Sequence, residues 1–308
     1  MKKNILIFVA LLLACFSKAQ QDPQYNLYQF NQLIINPAYA GARDAIAVVA
    51  STRNQWTGFN GAPKTSCISV HSPVFNNKLG VGLTMVNDAM GPRNMFGIYG
   101  NIAYILKLSA KFNLSFGLNA GFNRFQFDFN KLTFKTNESS SYFNQIQTYN
   151  KLDINQGIYL RSSTFFAGLS FTHLFSSDVY NIPSDSAGKS DLTYRLRTHM
   201  FFTIGNSFKL SDNVIFAPTI LLKTAGPAGS MDLNLNFFLF KKLWLGAFYR
   251  GGYGPGFLMQ YYITDKFRVA YSYDTGLKDA RVLGPSHEVM FGFDFSGSKA
   301  KVVSPRFL

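Results

Sequence analysis

From about residue 43 onward the chain is written in short segments in which apolar and polar residues alternate one by one. A period of two puts successive side chains on opposite faces of an extended strand, so the pattern predicts strands with two different environments. In 231–237, Met231, Leu233, Leu235 and Phe237 share one face and Asp232, Asn234 and Asn236 the other. Phe267, Val269, Tyr271 and Tyr273 likewise oppose Arg268, Ala270, Ser272 and Asp274. Tyr194, Leu196 and Met200 oppose Arg195, Arg197 and His199, and Val289, Phe291, Phe293 and Phe295 oppose Glu288, Met290, Gly292 and Asp294. Carried along the chain, the pattern predicts about fourteen strands, near 43–53, 64–73, 78–88, 94–108, 111–126, 151–162, 164–175, 192–209, 213–224, 229–240, 242–252, 256–263, 266–275 and 286–296. One register slips: Phe112, Leu114, Phe116, Leu118, Ala120 and Phe122 give way to Phe125, Phe127 and Phe129. A slip of one residue turns side chains to the other face, so a bulge is expected near Asn123-Arg124, with the strand beyond it standing above a membrane.

Alternation does not say which face is wet. A soluble sandwich buries its apolar face; a membrane barrel turns that face outward to lipid. The connectors separate the two. Short turns fall at Ser109-Ala110, Ser211-Asp212, Lys241 and Asp265, and long ones at 54–63, 128–150, 176–191 and 276–285. Short turns on one rim and long loops on the other are the pattern of a bacterial outer-membrane barrel, whose tilted strands need ~9–11 residues to cross. The predicted fold is all-β: one transmembrane antiparallel β-barrel over 43–296, with both termini on the short-turn, periplasmic side. Residues 20–42 precede it as a periplasmic or lumen-lining segment, and 297–308 follow as a periplasmic tail.

Composition agrees with the inverted reading. Phe, Tyr and Trp make up 16% of the chain and charged residues only 15%, unusual for a soluble domain. The first residues read as a secretory signal over 1–19: Lys2-Lys3, an apolar run from Ile5 to Ala14, then Ser17-Lys18-Ala19. A lipobox ending at Cys15 is the competing reading, weakened by Leu13 just before Ala14. After cleavage only Cys67 remains, which excludes an internal disulfide. The net charge of +14 falls by the leader's three lysines, and the remaining basic residues are scattered. That distribution speaks against nucleic acid and for lipid head groups or an acidic partner.

No catalytic group and no cofactor site is expected. His71, His173, His199 and His287 are far apart in sequence, with no pair at metal-ligand spacing, and are expected to be polar or interfacial barrel histidines. Gly252-Tyr253-Gly254-Pro255-Gly256 is a hairpin tip rather than a nucleotide loop, and Ser286, His287 and Glu288 alternate between faces. Arg195, Arg197 and Arg268 share the lumen-facing assignment with Asp232, Asp274 and Glu288. Charges of both signs in a narrow bore are expected to pair and plug it; a selectivity ring for an anionic solute is the alternative.

The stretch 21–73 sets aromatics among amides, prolines and glycines with no helical period. Its Arg53, Gln55, Trp56, Gly58 and Phe59 lie in a loop bent by Gly61 and Pro63, either an interfacial aromatic pair or a binding surface. Upstream, Tyr25, Tyr28, Phe30, Ile34, Ile35 and Tyr39 are too apolar for water, while Asn26, Gln29, Asn31, Gln32 and Asn36 are too polar for lipid. A lumen or a periplasmic rim offers both surfaces, and the segment is expected to fold into or across the periplasmic mouth, turned into the first strand by Asn36-Pro37, where it helps to close the bore and shows a surface to periplasmic partners. Deleting 21–33 is expected to cost sealing, partner capture or both.

These blocks together resemble the PorP/SprF family: Gln21-Asp22-Pro23, Ile35-Asn36-Pro37-Ala38-Tyr39-Ala40-Gly41, Arg53-Asn54-Gln55-Trp56-Thr57-Gly58-Phe59, and His71-Ser72-Pro73. Asp88 with Gly91-Pro92, the terminal strand from Gly284 to Phe295 and the closing Pro305-Arg306-Phe307 extend the likeness. The resemblance implies an outer-membrane barrel of the type IX secretion and gliding machinery, without enzyme activity or cofactor. Its implied partners are outer-membrane lipid, the C-terminal domain of a secreted cargo and periplasmic secretion components. Asn36, Pro37, Tyr39, Arg53, Gln55, Trp56, Gly58 and Phe59 are the expected partner-binding residues. A porin or a lipid or solute transporter is the alternative.

Overall fold

A computed structural model describes residues 22–131, 145–175, 177–182, 192–226, 228–276 and 283–295. The expected leader 1–19, the expected tail 297–308 and most of the expected loops 128–150, 176–191 and 276–285 lie outside the described residues. The strands are β1 (Ile46–Asn54), β2 (Lys64–Val74), β3 (Leu79–Met90), β4 (Arg93–Lys107), β5 (Asn113–Asp128) and β6 (Ile146–Arg161). They continue with β7 (Phe165–Thr172), β8 (Ser177–Ile182), β9 (Leu192–Leu196), β10 (His199–Asn206), β11 (Phe208–Ser211) and β12 (Val214–Ala225). The last are β13 (Ala228–Leu239), β14 (Leu243–Arg250), β15 (Gly254–Tyr262), β16 (Phe267–Asp274) and β17 (Ser286–Phe295).

Every wall pairing is antiparallel, and β1 closes on β17 from Ile46↔Phe295 to Asn54↔His287. With β10 and β11 acting as one wall strand interrupted at Ser207, the result is a closed 14-strand barrel. No helix among the described residues is long and apolar enough to cross a membrane; the wall is all strand.

The apolar face points out. Met231, Leu233, Leu235 and Phe237 are each more than a third exposed, while Asp232, Asn234 and Asn236 are 1% exposed or less. Lipid solvates the outer band and the bore buries the amides. On one rim the turns after β2, β4, β6, β11, β13 and β15 are short, several of them carrying exposed Lys78, Lys111, Lys241 and Lys266. The other rim is mixed: long connectors follow β1, β5, β7 and β16, but those after β3, β12 and β14 are tight.

Two predicted strands behave differently from the reading above. There is no bulge at Asn123-Arg124; β5 keeps one register against β4 and β6 through those residues. Phe125 and Phe127 are apolar on the inner face because they meet Tyr194 and Tyr180 of a hairpin folded over the mouth, at 5.9 and 4.8 Å between rings. That hairpin is β8–β9, which pairs only with itself. The predicted strand 192–209 is therefore broken at Arg197-Thr198, and its alternation loses phase there.

Candidate functional site: the luminal segment, its seat and the rim

Residues 22–45 run through the bore from the long-loop rim to the short-turn rim. Near the start, Asn26 donates its backbone N–H to Glu288 Oε2 at 2.6 Å and its Nδ2 to Asp274 Oδ2 at 3.0 Å. Arg250 Nη1 donates to Gln24 Oε1 at 3.1 Å. Midway, Gln29 and Asn236 exchange amide hydrogen bonds, and Ser69 donates to Asn31 Oδ1 at 3.0 Å. At the far end Gly41 N donates to His71 Nδ1 at 3.1 Å. The amides find wall partners, while Leu27, Phe30 and Leu33 pack into a patch of inner wall that includes Phe238, Trp244 and Phe248. A wet bore would not carry such a patch; burying each large apolar side chain is worth roughly 1.5–3 kcal/mol.

The chain advances by single 3₁₀ turns at Tyr28–Phe30, Gln32–Ile34 and Pro37–Tyr39. Asn36 Oδ1 accepts from Ala38 N at 2.9 Å, capping the last turn, and Pro37 begins it, where no N–H is required. Asn36 Nδ2 also donates to Ile158 O at 3.1 Å, and Tyr39 lies edge-on to His71 and Tyr159 at 5.4 Å. This turn sits on glycines of the wall. A Cβ at Gly80 would stand 2.0 Å from Ala40 O, and one at Gly117 would stand 2.1 Å from Ala38 N. Only a bare backbone allows that approach.

Charge in the bore is paired. Arg43 Nη2 and Arg268 Nη1 share Asp294 Oδ2 at 2.8 and 2.5 Å. Arg53 meets Asp274 at 2.7 Å and Glu288 at 3.6 Å. Arg250 holds Asp232 at 2.8 Å with Lys223 at 3.5 Å, and Arg93 holds Asp88. Buried partners of this kind stand or fall together, because removing one leaves an uncompensated charge. The cavities beside the segment measure ≈ 80 and ≈ 20 Å³, room for a handful of waters.

At the long-loop rim, His173 stands between two carboxylates: Nε2 is 2.8 Å from Asp22 Oδ1 and Nδ1 is 2.7 Å from Asp153 Oδ2. Burial pushes the imidazole down, but Asp22 and Asp153 outweigh it and hold it up at about 10. The loop between β1 and β2 is tied to its neighbours: Thr57 N donates to Pro285 O at 2.9 Å, Gly58 N to Leu283 O at 3.2 Å, and Gly91 N to Gly61 O at 2.8 Å. Trp56, at φ 55°, stacks on Tyr253 at 6.3 Å, and Phe59 at the tip is 55% exposed.

The expected site residues thus divide. Gly58 and Phe59 are exposed on the rim, Trp56 is half-buried against Tyr253, and Gln55 is buried with its N–H on Pro63 O. Arg53 is not on that surface; it points into the bore. Asn36, Pro37 and Tyr39 are buried in the seat and offer no face to a partner. The segment, expected as periplasmic or lumen-lining, runs through the whole bore and is buried from Gln24 to Leu33. Of the expected lumen charges, Asp232, Asp274, Glu288 and Arg268 face the bore, but Arg268 pairs with Asp294. Arg195 and Arg197 do not face it: Arg195 is exposed on β9 and bonds Asp178 at 2.5 and 3.0 Å, and Arg197 lies exposed in the break before β10. The sequence reading missed Arg43, Lys223, Arg250 and Asp153 as bore residues. Lys223 shares the face of Asp232 through its pairing with Ser230 across the hairpin, so it is reached only once that register is known, and Arg250 lies directly opposite Asp232. His173 and His199, far apart in sequence, come to 5.9 Å between rings.

Solved structures share the architecture. A FadL homologue from Pseudomonas aeruginosa superposes with a TM-score of 0.50 at 10% identity, over 89% of this chain and 95% of that one. The toluene transporter TbuX of Ralstonia pickettii gives 0.49 at 10% identity over 86% and 93%, and Omp33 of Acinetobacter baumannii 0.47 at 10% over 83% and 100%. At such identity the likeness concerns the barrel alone. No curated protein sequence matches the chain significantly. The family model described as type IX secretion system membrane protein PorP/SprF matches residues 17–293, so an outer-membrane barrel with an occupied bore and an ordered aromatic rim belongs to the PorP/SprF family.

Proposed function

We propose that the protein serves type IX secretion as a closed, non-enzymatic docking platform in the outer membrane. The observation that carries this reading is the bore, filled from rim to rim by the chain's own residues 22–45 with its buried charges paired. A protein that transmits no solute acts through its rims. The long-loop rim, with Phe59 exposed on a loop hydrogen-bonded to its neighbours, is the face for the C-terminal domain of a secreted cargo. The opposite rim, with its exposed lysines, is the face for inner-leaflet head groups and periplasmic secretion components.

The experiment places a photo-crosslinking residue at Phe59 in cells and, in parallel, records purified protein in planar bilayers. The expected result is an adduct with a secreted protein through its C-terminal domain, and a silent bilayer. Steady ohmic conductance without a protein adduct would instead support a porin or transporter.

A further inference from the structure

We propose that Asp22, His173 and His199 form a site for one divalent transition-metal ion of the zinc type, clipping the start of the luminal segment to the wall. Ligand atoms from these three residues all lie within 4.8 Å of one another. His173 Nε2 is 2.8 Å from Asp22 Oδ1, and His199 Nδ1 is 3.4 Å from Asp22 Oδ2. Two donors on a tetrahedral zinc at ~2.0–2.1 Å stand roughly 3.3 Å apart, so the cluster needs little rearrangement. The contact that must yield is from His199 Nδ1 to the Arg197 carbonyl at 2.9 Å.

One independent feature points the same way, an outer shell: the second nitrogen of His173 faces Asp153 at 2.7 Å, and Asp153 is itself approached by Tyr99 OH and Asn123 Nδ2 at 3.4 Å. A carboxylate behind a histidine is the arrangement that orients metal ligands and raises their basicity.

Two imidazoles and a carboxylate suit zinc and its neighbours rather than calcium or magnesium, which prefer all-oxygen shells. The ligands come from the segment, the exit of β7 and the entry of β10, so one ion would join the plug to both feet of the β8–β9 hairpin. An open fourth position meets the ≈ 80 Å³ cavity that Asp22, Thr172 and His173 line.

The test uses mature protein purified on a tag free of histidine, stripped with chelator, and titrated with Co²⁺ and then Zn²⁺. One tetrahedral Co²⁺ per chain is expected, displaced by Zn²⁺, and Zn²⁺ should slow hydrogen exchange in 22–28. Asp22→Asn, outside the wall, should weaken binding at least tenfold with the heat-modifiable gel shift of the barrel unchanged; Asp153→Asn should weaken it ~10–100-fold. His199→Gln gives a second ligand variant. Absent uptake, uptake unchanged in Asp22→Asn and His199→Gln, or Ca²⁺ binding in preference to Zn²⁺ would overturn the site and leave an Asp22–His173–Asp153 ion triad held by a proton.

Discussion

Gly117→Ala places one methyl group under the luminal segment, and its consequence can be worked from distances. The new carbon would stand 2.1 Å from Ala38 N, 2.3 Å from Ala38 Cα and 2.4 Å from Pro37 C. All three are backbone atoms and cannot swing aside as a side-chain tip would. The wall is the stiffer partner, because β5 is hydrogen-bonded to β4 and β6 along its whole length. The segment must lift instead. Overpacking of this kind costs about 1–3 kcal/mol, which raises the unseated population roughly 5- to 150-fold. Gly80→Ala, 2.0 Å from Ala40 O, should act alike, and the double variant should not be additive because both disturb one short turn. Single-channel recording reads this as more frequent brief openings. Gly100→Ala is the control, since its nearest atom beyond the chain neighbours is 4.0 Å away. If Gly117→Ala stays as silent as Gly100→Ala, with the same heat stability, the glycine seat does not hold the segment.

Two further outcomes follow from the charges. Asp294→Asn leaves Arg43 and Arg268 buried without their shared carboxylate, so the midpoint of thermal unfolding on a heat-modifiable gel should fall sharply, by about 3–5 kcal/mol of stability. Arg195→Ala breaks an exposed, solvent-screened pair on the β8–β9 hairpin and should leave that midpoint within error.

The barrel was legible in the sequence because period two is a local property. Each strand such as 231–237 declares its two faces without reference to any other, and the excess of aromatics over charge says that the greasy face meets lipid. The trouble with 21–41, too apolar for water and too polar for lipid, was legible for the same reason, and the bore is the environment that satisfies both kinds of side chain. Partners were another matter. Arg53 sits beside Trp56 in sequence but faces the other way, because loop and strand part at Asn54. Phe125 and Phe127 read as a slipped register, yet the backbone never slips; a hairpin some fifty residues later supplies their apolar surroundings. Arg195 and Arg268 carry the same local pattern, and only strand pairing puts one on an exposed hairpin and the other beside Asp294. Alternation fixes the face of a residue on its own strand. Which strand lies across the bore, and at what height, depends on register and closure, so the seat on Gly80 and Gly117, the shared Asp294 and the meeting of Asp22 with His173 and His199 were decided by tertiary structure alone.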